Sequence, residues 1–381
     1  MLPDGTGSPA PSGAAAESSG PAAPAPDLEP QPLAFTGSGR EYFRIWIVNI
    51  LLSIITLGIY SAWAKVRRME YFYRNTRLAG ACFDYHGRPI AILKGRVVAA
   101  ILFTGYYIAG YINPWYGLAA AGVLGLAIPY FISRSLRFRL YNSSYRGLRF
   151  EFLGSTKSAY WVFLALPVLS VFTLLMLVPF VQHRIKRYTY GQAAYGQTRF
   201  TFNSSVAEFF LTYVLAGLLL TGVIFAAFWL FFFLTLAVSA MTGVRPLPQS
   251  PDNPEVTASA VVAVAVFIAA YGLGLLSVRA FVTARIQNLV WNSTRLGRHG
   301  FSCRIRAPRL FLILATNVAA TILTLGLFTP FAHVRLARYM ADVFTLVPRA
   351  SLDDIVASER QQSVSAFGEE AAELFDLDVA L

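Results

Sequence analysis

The stretch NILLSIITLGIYSAWAKVRRMEY, Asn49–Tyr71, decides how this chain is to be read. It begins as an uncharged apolar run, carries a Thr56-Leu57-Gly58 step, and ends in Lys65, Arg67 and Arg68 among aromatic residues. A near copy, NVAATILTLGLFTPFAHVRLARY, runs from Asn317 to Tyr339 and aligns without gaps. Asn49 matches Asn317, Thr56-Leu57-Gly58 matches Thr324-Leu325-Gly326, and Val66-Arg67 matches Val334-Arg335. A third copy, LPVLSVFTLLMLVPFVQHRIKRY, Leu166–Tyr188, keeps Thr173-Leu174, Arg184 and Arg187-Tyr188 but loses the Asn and the Gly.

The rest of the chain sorts its charge in the same way. Of 32 Lys and Arg residues, 28 lie in Lys65–Arg96, Arg134–Lys157, Arg184–Arg199, Arg279–Arg309 and Arg335–Arg349. The runs Ile45–Ala64, Val97–Ser133, Ser158–Gln182, Phe209–Val244, Val256–Val278 and Leu310–Val334 contain no Asp, Glu, Lys or Arg. Hydrocarbon excludes charge and cytoplasmic loops collect Lys and Arg, so this is the pattern of a multi-pass membrane protein. Only 14% of the residues are charged, against about 25% in soluble domains. The expected fold is an all-α membrane protein, a polytopic helical bundle with three internal repeats and two transmembrane hairpins.

The boundaries follow from composition. Residues 1–33 are rich in Ala, Pro, Gly and Ser, hold four acids and no base, and read as a disordered leader rather than a cleaved signal. Residues 34–346 form the membrane domain: repeat 34–96, hairpin 97–133, repeat 134–205, hairpin 206–278 and repeat 279–346. Residues 347–381 form an acidic C-terminal tail in which a short amphipathic helix competes with disorder. Hairpin 97–133 breaks at Asn113-Pro114, and hairpin 206–278 at the proline-rich Arg245–Glu255, which is placed outside because it is poor in positive charge. Each repeat segment has basic residues at both ends, so it either spans or dips into the membrane and returns with its bend at the Thr-Leu-Gly step. Both readings stay open. An Asn or Gly signature also recurs after the helices. Asn75-Thr76 leads to Gly80 and Phe83, and Asn142-Ser143 to Gly147 and Phe150. Asn292-Ser293 leads to Gly297 and Phe301, one residue longer. It reads as a turn followed by a short extended stretch led by the Phe.

Asn49 and Asn317, polar and matched within apolar runs, are the candidate ligand-binding pair, because paired repeats with polar breaks are how transporters build a midplane site. An interhelical hydrogen bond is the plainer role for them. Lys65, Arg67, Arg68, Arg184, Arg335 and Arg338 are the candidate lipid-headgroup residues, since basic residues beside a span meet anionic phospholipid. The basic balance is explained by topology, so nucleic acid is not an expected partner. The tyrosines at segment ends read as an interfacial aromatic belt. Cys82 with His86 and His299 with Cys303 form mirror-image pairs, but their spacing fits no zinc motif, and no metal or other cofactor is expected. No nucleophile elbow, His-Glu-x-x-His or phosphate loop occurs, so no catalytic residue is assigned and the protein is not expected to be an enzyme.

The run FTGSGREYFRIWIVNILLSIITLGIYSAWAKVRRMEYFYRNTRLAG, followed by FDYHG and ILKGR, closely resembles the YjgN family of bacterial inner-membrane proteins, built around a domain of unknown function. NSSYRGLRF, YGQTRF, NSTRLG and TLGLFTPFAHVRLARY are similar to that family's repeated elements, so the resemblance covers about Phe35 to Leu346. It implies a multi-pass location in the inner (plasma) membrane and brings no substrate or catalytic residue. The expected function is a transporter or channel for a small or lipidic ligand. The alternative is a scaffold or envelope-organising protein whose basic cytoplasmic face binds anionic lipid or partner proteins.

Overall fold

The computed structural model describes residues 29–242 and 254–349. The expectations for the leader before residue 29, for the acidic tail and for most of the Arg245–Glu255 connection lie outside the described residues. Within them the chain repeats one path five times: a strand leads into two antiparallel helices, which return to a short strand. β1 (Gln31–Phe35) leads to α1 (Gly39–Ile55) and α2 (Ser61–Arg74), then β2 (Thr76–Leu78). β3 (Ala81–Tyr85) leads to α3 (Pro89–Ile112) and α4 (Pro114–Tyr141), then β4 (Ser143–Tyr145). β5 (Leu148–Phe152) leads to α5 (Thr156–Tyr160), a π-helical turn at Trp161–Ala165, α6 (Leu166–Phe172) and α7 (Val178–Gly191), then β6 (Ala193–Tyr195). β7 (Thr198–Phe202) leads to α8 (Val206–Thr242) and α9 (Pro254–Asn292), then β8 (Thr294–Leu296). β9 (His299–Cys303) leads to α10 (Ala307–Leu323) and α11 (Thr329–Asp342), then β10 (Phe344–Val347).

The strands overturn the all-α expectation. They close into a ten-stranded antiparallel barrel in the order β1-β10-β9-β8-β7-β6-β5-β4-β3-β2. Their side chains alternate with period two, as in LRFEF, where Leu148, Phe150 and Phe152 face in while Arg149 and Glu151 face out. One interior pair joins the two strands that flank each helical hairpin: Leu33 with Leu78, Phe83 with Tyr145, Phe150 with Tyr195, Phe200 with Leu296, and Phe301 with Leu346. Tight turns join β2 to β3, β4 to β5, β6 to β7 and β8 to β9, while β1 and β10 close the barrel; at Ala79-Gly80 and Arg146-Gly147 both loop residues have positive φ, the geometry that matches strand twist in two-residue hairpins. The barrel has no open edge, which removes the pairing hazard of such short strands.

Antiparallel pairing throughout has a topological consequence. All odd-numbered strands end, and all even-numbered strands begin, on one rim, so all five helical hairpins leave from that rim and return to it. Each joint is sealed by the same backbone hydrogen bond, from the first residue past the odd strand to the residue capping the returning helix. The pairs are Thr36 to Asn75 (2.9 Å), His86 to Asn142 (2.7 Å), Leu153 to Gln192 (2.8 Å), Asn203 to Ser293 (3.0 Å) and Arg304 to Val343 (3.1 Å). The helices pack in chain order as a ring, and α11 closes onto α1 and β1. That last seam is tight: a Cβ on Gly39 would lie 2.5 Å from the Phe331 ring, Tyr42 is fully buried, and Arg338 donates to the Gly37 carbonyl at 3.1 Å.

The five hairpins reach different depths. Among the described residues, four helices are long and apolar enough to cross a membrane: Pro89–Ile112, Pro114–Tyr141, Val206–Ala240 and Val261–Asn292. They belong to α3/α4 and α8/α9, and the first pair breaks at Asn113-Pro114 as the sequence suggests. The arms α1, α2, α7, α10 and α11 have only 14 to 17 residues, short of the ~20 a span needs. These three hairpins return to the rim on arms at or below the short end of a span, the shape of a dip rather than a crossing. Each bends at a helix C-cap with paired 6→1 and 5→2 hydrogen bonds. They run from Gly58 to Ser53 and Leu57 to Ile54, from Leu175 to Ser170 and Leu174 to Val171, and from Gly326 to Thr321 and Leu325 to Ile322. Thr56 and Thr324 then receive the amides of Tyr60 and Phe328 on their hydroxyls. The bend thus meets its own polar groups, as backbone in hydrocarbon must. The apical leucines Leu57, Leu174 and Leu325 are 94%, 89% and 95% exposed, the bare apolar surface that marks a membrane or protein contact.

Candidate functional site: an aromatic cup beneath the helix ring

The barrel interior is not filled. A cavity of about 540 Å³ runs from the barrel up between the returning helices, within the usual ~300–1,000 Å³ range of ligand sites. Its floor, towards the tight turns, is the buried cluster of Leu78, Tyr145, Tyr195, Leu296 and Leu346. The floor tyrosines spend their hydroxyls on the wall: Tyr145 donates to the Leu78 carbonyl at 2.7 Å and Tyr195 to the Tyr145 carbonyl at 2.8 Å. Phe83, Phe150, Phe200 and Phe301 form the side wall, one from each of four long strands. Phe72 and Tyr73 of α2, Leu140 of α4, Gln287 and Trp291 of α9, and Ala337, Met340 and Ala341 of α11 form the upper wall.

No Asp, Glu, Lys or Arg lines this cup. Its few polar groups are mostly engaged. The Thr76 hydroxyl donates to the Phe72 carbonyl at 2.7 Å, and Ser143 is within 3.1 Å of the Tyr73 hydroxyl and 2.8 Å of the Arg139 carbonyl. Burial pushes the Cys303 thiol up from its ordinary range, so this lining residue is protonated and a poor nucleophile. What the cup offers is an uncharged, aromatic, shape-defined volume, suited to an apolar chain.

The residues singled out by sequence lie around the cup rather than in it. Asn49 is buried on α1, and its side-chain oxygen has no hydrogen-bond partner among the described residues. Asn317 works inside its own hairpin, donating to the Ala332 carbonyl at 3.4 Å and accepting from Arg335 at 3.3 Å. Arg335 also reaches the Thr316 hydroxyl at 2.8 Å, and Arg338 is held by Gly37. Lys65, Arg67 and Arg68 are exposed on α2. Arg184 lies 4.9 Å over the Phe180 ring. Cys82 and Cys303 sit on β3 and β9, which β2, β1 and β10 keep apart around the barrel. The aromatic lining escaped the sequence reading because each strand supplies only one or two of its members. The Phe recurring after each turn glycine was its one visible trace.

The family described as bacterial protein of unknown function, DUF898, matches residues 30–374. Inner membrane protein YjgN of Salmonella typhimurium is 34% identical over 143 residues, 37% of this chain and 36% of that protein. Inner membrane protein YjgN of Escherichia coli K12 is 34% identical over 149 residues, 38% of this chain and 36% of that protein. The matched region thus spans about a third of the length of these relatives. No solved structure matches the chain. With four helices among the described residues long and apolar enough to cross a membrane, and relatives named for the inner membrane, the chain is a multi-pass inner-membrane protein belonging to the DUF898 family.

Proposed function

We propose that the cup receives the apolar chain of a membrane lipid from the adjoining leaflet, and that the protein is a non-enzymatic carrier or transporter of a lipidic ligand. The observation that carries this reading is the uncharged, aromatic-lined cavity, floored at the tight-turn end and continued upward between helices. An ion path needs polar groups in place of the hydration shell, and this lining has almost none, which favours a lipid over an ion. The three short hairpins lower the wall of the helix ring on both sides of the spanning pairs, so a lipid tail has a lateral way in from the bilayer. The Lys and Arg residues spread over the barrel strands, its turns and the helix feet favour the cytoplasmic side for the barrel in this reading. We also read the five hairpin joints as five internal repeats, of which the three dips kept the most similar sequences.

The test is photo-crosslinking of the full chain in vesicles containing a diazirine-bearing fatty acid. Adducts are expected on Phe150, Phe200 or Met340, and Ala337→Trp, which fills the upper cup, is expected to lower them at least about fivefold, as loss of a ligand's apolar burial implies. Adducts confined to the outer helix faces and unchanged by Ala337→Trp would sink the reading. The alternative, a scaffold acting through its basic rim, is favoured by the outward-facing Lys65, Arg67 and Arg68. It predicts that charge reversal there abolishes activity in the cell while Ala337→Trp is silent.

A further inference from the structure

Outside the cup, a second cavity of about 400 Å³ sits where β9 and β10 meet the feet of α10 and α11. It is bounded by Arg304, Arg306 and Arg309, with Ser302, Tyr339, Asp342 and Thr345 around them. We propose that this cavity binds a phosphate group, presented by the headgroup of an anionic lipid.

Three arguments converge. First, the charge is uncompensated: three guanidinium groups face one carboxylate, Asp342, and the one salt bridge among the described residues is elsewhere, between Arg74 and Asp84 at 3.0 Å. The comparable cavity beside α4 has two arginines and Glu151, and one of those arginines, Arg137, is already bound to the Gly154 carbonyl at 2.8 Å. Second, the arrangement is braced. Tyr339 holds Arg306 at both its amide, 3.1 Å, and its carbonyl, 3.3 Å, and the Arg309 guanidinium lies 5.6 Å over the same ring. Tyr339 thus fixes the Arg306 backbone and holds the Arg309 guanidinium beside it, which brings both arginines to one multi-oxygen anion. Third, the depth is right. Leu312, 59% exposed, begins the apolar skin of α10 only three residues past Arg309, about 4.5 Å along the axis. An anion in this cavity therefore lies where a bilayer keeps its phosphates. The start of α10 adds to the field, because α1 and α5 are closed by Ser38 and Ser155 whereas Arg306 makes no side-chain cap. It does not define the site.

The experiment is native mass spectrometry of the delipidated full chain, titrated with dioleoyl phosphatidylglycerol, dioleoyl phosphatidylcholine and inorganic phosphate. The measurements are made in an Ala337→Trp background, so that tails in the cup do not count. R304Q/R306Q/R309Q is expected to weaken phosphatidylglycerol binding at least about tenfold, in line with the pull of several basic residues on anionic lipid, while R199Q/R295Q, at exposed positions on β7 and β8, leaves it unchanged. Arg309→Gln alone, at an exposed position that tests charge with the fold intact, is expected to weaken it about threefold. If inorganic phosphate binds with the same arginine dependence and displaces the lipid, the chemistry stands and a free anion is its source. Phosphatidylglycerol binding that survives both the triple and the single variant, or that phosphatidylcholine matches, overturns the proposal. Because the cup is blocked throughout, its failure as a lipid site would not affect this result.

Discussion

The spanning hairpins α3/α4 and α8/α9 and the three dipping hairpins hang from one rim by the same joint, yet they end at different depths. The difference is written at two places. At the apex, α3 and α4 meet at Asn113-Pro114, and the Asn113 side chain accepts the Trp115 amide at 2.8 Å. That apex sets an Asn among exposed Tyr111, Trp115 and Tyr116, the mixture that favours the boundary between bilayer and water. The dips turn instead on Thr-Leu-Gly or Thr-Leu-Leu, satisfy their amides internally, and present a bare leucine. At the foot, four residues before the returning helix is capped, the dips carry Tyr71, Tyr188 and Tyr339, and the spans carry Phe138 and Leu289. Each tyrosine hydroxyl reaches the carbonyl at the start of its own outgoing helix: Ser38 at 2.9 Å, Ser155 at 3.1 Å and Arg306 at 3.3 Å. A long hairpin buries enough lipid-facing length to hold its angle in the bilayer. A short one needs a clasp at its base.

The strongest way to break this comparison is to ask where the apices lie. In a Cys82→Ser background, with Cys303 buried, Asn113→Cys is expected to react with a membrane-impermeant maleimide on intact cells. Leu57→Cys, Leu174→Cys and Leu325→Cys are expected to resist it from both faces of the membrane, an all-or-none contrast. Reaction of any dip apex from the same face as Asn113→Cys would show that the short arms reach across after all.

What was legible in the sequence divides along physical lines. Charge exclusion from hydrocarbon acts over whole segments, so the long apolar runs and the break at Asn113-Pro114 could be read directly. The barrel could not. Its strands have three to five residues, and seams such as Phe83 with Tyr145 join residues more than sixty positions apart. Lodged between arginines, they passed for basic loops. The Asn signature shows how spacing misleads: Asn75 and Asn142 cap helices through the Tyr71 and Phe138 carbonyls at 2.8 and 2.7 Å. Asn292 sits one residue earlier, inside its helix, and clasps both backbone groups of Cys303 at 3.1 and 2.7 Å. The extra residue marks a different job. The cup was invisible for a related reason, since its lining is gathered from all ten strands and four returning helices.

A smaller effect sharpens the role of the foot. Tyr188→Phe removes the hydroxyl's contacts with the Ser155 carbonyl at 3.1 Å and the Ser133 hydroxyl at 3.3 Å and keeps the ring packed on Phe152 and Phe163 at 5.2 and 5.6 Å. The expected loss is about 0.5–1.5 kcal/mol of thermal stability in detergent. Phe138→Tyr in the spanning pair is expected to bring no matching gain. Equal responses at Tyr188 and Phe138 would mean that the clasp is not what separates dips from spans.

The smallest expected effect is also the one most specific to the dips. At the second turn position Gly58 and Gly326 have φ of 90° and 93°, while Leu175 takes φ 66°. A side chain there pulls the backbone back towards the only left-handed well that an L-residue tolerates, at a cost of about 1–2 kcal/mol. Leu175→Gly relieves that cost but frees the unfolded chain, which returns about 0.5–1 kcal/mol. The net expectation is a stabilisation of about 0.5–1 kcal/mol. Gly58→Ala and Gly326→Ala should move the other way by about 1 kcal/mol. Thermal unfolding of the three variants in one detergent measures the contrast. If Leu175→Gly destabilises instead, the second leucine is held at that apex by its contact with lipid, and the chemistry of the dip tips outweighs the strain of their backbone.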